Sequence, residues 1–85
     1  MPYNIEFAQS VEKQLKKISK KDASRIKEWI ESLSSEPRPC DVKKLKGREL
    51  YRIRSGDYRI IYAIKDKVLL VLIVAVGHRK EIYDL

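Results

Sequence analysis

Residues Leu50–Ile64 read LYRIRSGDYRIIYAI. Apolar and polar side chains alternate on both sides of Ser55-Gly56-Asp57, the period of a strand with one buried face. Gly-Asp as a two-residue loop suits a primed turn with Gly56 in the first central position, so Leu50–Arg54 and Tyr58–Ile64 are expected to form a hairpin. That turn sets the register. Ser55 opposes Tyr58, Arg54 opposes Arg59, and Arg52 opposes Ile61, and opposed residues share a face. Three arginines therefore point one way, and Tyr51, Ile53, Ile60 and Tyr62 point the other. A slip of one residue would send Arg59 to the opposite face.

Downstream, Lys65-Asp66-Lys67 reads as a second turn. Val68–Val76 is VLLVLIVAV, apolar at every position, as in a central strand covered on both faces. Upstream, Tyr3, Ile5 and Phe7 alternate with polar residues and predict a first strand. Val11, Leu15 and Ile18 recur at helical spacing, with Ser10 as the expected N-cap. After Ser19-Lys20-Lys21, Asp22 is placed to cap a second helix whose apolar stripe is Ile26, Trp29, Ile30 and Leu33, and Pro37 and Pro39 end it. The sum is one α+β domain over residues 1–85, in the order β-α-α-β-β-β. A helical hairpin packs on one face of a small, mainly antiparallel sheet, and the first strand lies at an edge or beside the long last strand.

The chain of 85 residues carries a net charge of +7. Its single cysteine, Cys40, allows no internal disulfide, and one cysteine with one histidine cannot supply a tetrahedral zinc set. The first residues lack a signal peptide's basic start and apolar core, and the longest apolar run is half a membrane helix. A cytoplasmic protein without membrane association is expected. The positive charge is concentrated in Lys43–Arg59, where seven basic residues stand against Glu49 and Asp57 and give net +5 of the chain's +7. Leu50, Tyr51, Ile53 and Tyr58 interleave with them. A cationic surface with aromatic residues beside it suits a polyanion with flat bases, and an acidic protein is the other partner class. Lys43, Lys44, Lys46, Arg48 and Tyr58 are the candidate RNA-binding residues. Like charges directly opposed on a sheet cost roughly 0.2–1 kcal/mol, a cost that a polyanion-binding face offsets. The plainer reading is a solvated face that keeps an edge strand from aggregating.

Three segments in order, LKG at Leu45–Gly47, YRIRSGDYRIIY at Tyr51–Tyr62 and VGHRKEIY at Val76–Tyr83, resemble the RelE/ParE superfamily of toxin–antitoxin toxins, and more closely its RelE branch. The resemblance spans nearly the whole chain. It implies a ribosome-dependent mRNA endoribonuclease that needs no metal or cofactor and inhibits translation. It also implies a RelB-like antitoxin that silences the toxin in a hetero-oligomer.

The family's active-site positions fall on Arg52, Arg54, Arg59, Arg79 and Tyr83. Cleavage is attack by a 2′-OH on the adjacent phosphate with the 5′-oxygen leaving, so the protein must align the nucleotide, spread the phosphate's growing charge and move two protons. Arginine forks bind phosphate oxygens at two points and stay charged. Arg59 and Arg79 are assigned to the phosphate, Arg52 and Arg54 to the backbone and charge stabilisation, and Tyr83 to base stacking or proton transfer. The best-known RelE proteins carry lysines at the positions of Arg52 and Arg54. Arginine is a poor general base, which leaves Tyr83 and His78 as candidates for that role. Two residues follow Tyr83, fewer than the C-terminal helix of some relatives requires. Two alternatives share the fold: a ParE-like inhibitor of DNA gyrase, and an inactive member that binds only its antitoxin.

Overall fold

The computed structural model describes residues 2–39, 42–45, 47 and 49–78. Strand β1 (Asn4–Phe7) leads into helices α1 (Gln9–Lys16) and α2 (Lys20–Ser32). Strands β2 (Lys43–Lys44), β3 (Tyr51–Ser55), β4 (Tyr58–Lys65) and β5 (Leu70–His78) follow. The sheet order is β1-β5-β4-β3-β2, with β1 parallel to β5 and every other neighbour antiparallel. This is the expected α+β architecture with a two-residue edge strand, β2, added; that strand is too short to leave a periodic signal.

Both helix starts lie earlier than the cap residues suggest. The Ala8 N–H donates to Ile73 O at 2.8 Å, which ties the end of β1 to β5, and α1 begins at once without a side-chain cap. At α2 the cap is Ser19, whose Oγ accepts the Asp22 N–H at 3.3 Å. Asp22 thereby falls inside the first turn, where its charge meets the positive end of the helix dipole.

The helices cover one face of the sheet. Val11, Ile26, Ile30 and Leu33 pack there against Ile53, Ile60, Tyr62, Val71, Ile73 and Val76, with Trp29, Tyr51 and Tyr58 partly buried around them. Tyr62 and Ile60 are fully buried. Burying side chains of this size stabilises the fold by roughly 1.5–3 kcal/mol each.

The last strand departs from its sequence reading at both ends. Asp66–Val68 forms a 3-10 turn, Leu69 takes a left-handed conformation (φ 51°), and β5 starts at Leu70 and runs on through His78. Side chains from elsewhere in the chain hold the turn before β5. Arg38 grips Asp66 with two bonds of 3.1 and 2.8 Å, and the Tyr3 hydroxyl donates to the same carboxylate at 2.7 Å. Arg38 first, then Tyr3, holds the Asp66 carboxyl at about 2. The same bond to Asp66 pushes the Tyr3 phenol above its ordinary value. Arg38 also lies 5.4 Å from the centre of the Tyr51 ring, which stacks on Tyr62 at 5.9 Å, and the buried Tyr62 hydroxyl donates to Pro37 O at 2.8 Å. Burial drives the Tyr62 phenol upward. This clasp joins the N-terminal strand, the loop after α2 and the β4–β5 turn.

A bulge interrupts β4–β5. Ile61 pairs with Ala75, but Tyr62 pairs with Ile73, so Val74 is an extra residue. Ile73 and Val76, three positions apart, consequently share the helix-covered face, and Val74 joins Ala75 on the other.

Candidate active site

The hairpin has the expected register: Arg54 opposite Arg59, Arg52 opposite Ile61, Ser55 opposite Tyr58. Gly56 has φ 61°, a conformation open to glycine at little cost. The face away from the helices carries two cross-strand rows. One runs Lys43, Arg52, Ile61, Ala75, and the other runs Arg54, Arg59, Gly77. Cα atoms of opposed residues stand about 4.5–5.5 Å apart, and residues two apart along a strand about 7 Å, so the cations of the two rows are near neighbours on this face.

Beside the cations lies an apolar floor. Ile61 and Ala75 are buried, with Leu45, Leu50 and Val74 packed on them. Leu45 N–H donates to Leu50 O at 2.8 Å, which holds these two apolar residues together against this part of the face. Arg52 and Arg59 are half-buried next to it, and Arg54 is exposed. Low-polarity surroundings strengthen the pull of these charges on an anion. Gly77, across from Arg59, presents no side chain on that face.

Four of the sequence-selected residues, Lys43, Arg52, Arg54 and Arg59, thus come together. Three others do not. Lys44 pairs with Tyr51, and Tyr58 with His78, and all four of these residues belong to the helix-covered side. The Tyr58 and His78 rings meet edge to face at 5.8 Å. The apolar run predicts a strand ending at Val76, but β5 continues through His78. The bulge at Val74 reverses the alternation beyond it and turns His78 to Tyr58 instead. Lys46, Arg48, Arg79 and Tyr83, and also Cys40, lie outside the described residues. One residue on this face carries no sequence signal: Gly77, which is placed there by pairing alone.

The family model for the ParE toxin of the type II toxin–antitoxin system parDE matches residues 5–83. The chain is 34% identical over 87 residues to the toxin RelG of Mycobacterium tuberculosis, across 98% of each chain. The chain belongs to the RelE/ParE toxin superfamily, in its RelE-like branch.

Other RelE proteins extend the match. The chain is 28% identical over 89 residues to the mRNA interferase toxin RelE of Escherichia coli, covering 99% of this chain and 93% of that one. A chain of the RelE–RelB complex from Pyrococcus horikoshii OT3 superposes with a TM-score of 0.83 at 35% identity, over 93% of this chain and 97% of that one. This RelE-like toxin thus keeps two helices on a mixed five-stranded sheet, with its cationic rows on the face away from the helices.

Proposed function

We propose that this RelE-like toxin is an endoribonuclease that cuts mRNA on the ribosome. The observation that carries the reading is the convergence of Arg52, Arg54 and Arg59, with Lys43 beside them, on one sheet face over an apolar floor. The name of the Escherichia coli relative supports mRNA as the substrate class. In the reaction the 2′-oxygen bonds to the adjacent phosphorus as the bond to the 5′-oxygen breaks. One proton leaves the 2′-OH and another reaches the departing oxygen. Arginines along the two rows hold the non-bridging oxygens and offset their growing charge, an effect of on the order of 10²–10³ in rate per donor. Arg79 and Tyr83 complete the set we propose, by their match to the family's positions.

Since His78 meets Tyr58 edge to face on the side of the sheet away from the arginines, we assign the proton transfers to Tyr83 or to the ribosome's own groups rather than to the imidazole. The partner we propose is a RelB-like antitoxin, in keeping with the toxin–antitoxin complexes among the solved relatives. An acidic, partly disordered chain that orders on binding suits a domain of charge +7.

The test is to map the 5′ ends of transcripts treated with the toxin, with and without ribosomes, for the wild type, Arg59→Ala and Arg79→Ala. New ends only with ribosomes, lost in both variants, are expected. Undiminished cleavage by both variants sinks the reading. The family model named for ParE favours a second reading, inhibition of DNA gyrase. Blocked supercoiling with intact mRNA would establish it in place of the first.

A further inference from the structure

Strand β1 ends at Phe7, opposite Ile73, and the Ala8 N–H adds one more backbone bond to β5, at Ile73 O. From Val74 to His78, no described strand flanks β5 there. This same stretch carries Gly77 opposite Arg59 and leads in sequence to Arg79. The bulge at Val74 turns the Val76 N–H away from β4, toward the side where β1 has already stopped. The side chain of Gln14, in the last turn of α1, meets it there: Oε1 accepts the Val76 N–H at 2.7 Å, across 62 residues of sequence. Gln14 is half-buried and Val76 fully buried.

We propose that Gln14 is a positioning residue of the active site, a one-residue substitute for the missing strand that holds the end of β5 behind Arg59. The inference rests on the nuclease reading above. The hydrogen bond of Gln14 goes to the Val76 backbone and to none of the described arginines, so it acts through Val76. The physical need is specific. A buried N–H must have an acceptor, and without one the strand end shifts to find water. A shift of about 1 Å at a site that aligns an attacking oxygen costs on the order of 10²-fold in rate. Other hydrogen bonds in the fold, such as Ser34 Oγ to Tyr3 O at 2.7 Å, stabilise the far end and touch nothing in the site.

The experiment compares Gln14→Leu, which keeps the volume but removes the acceptor, with Gln14→Glu, which keeps an acceptor oxygen, and Ser34→Ala as a matched loss elsewhere. Each is assayed on programmed ribosomes for kcat and KM, with melting temperature and amide exchange at Val76. Gln14→Leu is expected to lower kcat about tenfold or more, leave KM within about twofold, and speed Val76 exchange. Gln14→Glu is expected to restore both, and Ser34→Ala to melt lower with kcat unchanged. The proposal is overturned if Gln14→Leu cleaves like wild type, if Gln14→Glu rescues nothing, or if kcat follows melting temperature in Ser34→Ala as well. A wild-type protein that does not cleave on ribosomes overturns the nuclease reading instead, and the role of Gln14 with it.

Discussion

Replacing Arg54 with threonine should make the domain more stable and the toxin weaker. Arg54 stands directly across from Arg59, and its own strand carries Arg52 two positions away. Directly opposed like charges destabilise a strand pair by roughly 0.2–1 kcal/mol. The Arg54 side chain is exposed, so its removal empties no packed space. Threonine is a favourable strand residue on a scale spanning about 1 kcal/mol. A net gain of about 0.5 kcal/mol follows. For a domain of this size that raises the melting temperature by about 2–4 °C. The gain is electrostatic, so it should shrink near 1 M salt, where the screening length falls to about 3 Å. Cleavage should fall on the order of 10²-fold, the effect of removing one charge-stabilising donor. Thermal melts at low and high salt, paired with the ribosome cleavage assay, read both quantities. A variant that melts below wild type at low salt, or that cuts at the wild-type rate, refutes the argument that this face carries repulsion for the sake of its ligand.

Tyr62→Phe strands the Pro37 carbonyl that accepts its hydroxyl, and a urea titration should report a loss of about 1–2 kcal/mol with an unchanged m-value. Asp66 titrates at about 2 in the folded protein against an ordinary 3.8, so its contribution is complete above about pH 4 and disappears as pH falls toward 2. Asp66→Asn should therefore flatten the acid limb of the melting curve between those values, and a variant whose limb matches wild type would show that the Arg38 clasp is not its source. Binding of a short single-stranded RNA should weaken with salt at a log–log slope of about −2 to −3, the value for the four cations Lys43, Arg52, Arg54 and Arg59, and lose about one contact's worth of that slope in Arg52→Ala. A slope near zero would leave the cationic rows without an RNA to bind.

Much of this protein is legible from local pattern. Gly56-Asp57 between two alternating runs sets the hairpin register, because the side-chain period of a strand is two and a two-residue loop admits no slack. That alone places Arg52, Arg54 and Arg59 on one face and Tyr51, Ile53, Ile60 and Tyr62 under the helices. The helical spacing of Ile26, Trp29, Ile30 and Leu33 likewise identifies the stripe that covers them. Helix starts are read less well, because Ser10 and Asp22 are plausible caps in isolation. The bond from Ala8 to Ile73 and the Ser19 hydroxyl act first.

The rest depends on contacts between residues far apart in the chain. A run such as VLLVLIVAV has no polar residue to mark alternation, so the extra residue at Val74 leaves no trace in it, yet that residue decides which face His78 joins. The β4–β5 turn runs past its charged tripeptide to Leu69, with Asp66 gripped there by Arg38 and Tyr3 from distant parts of the chain. Gln14 reads as one more polar position on a solvated helix until α1 is laid beside the unflanked end of β5. Periodicity reports how each segment divides its side chains between water and core. Which backbone groups remain to be satisfied, and by whom, is settled only when the segments meet.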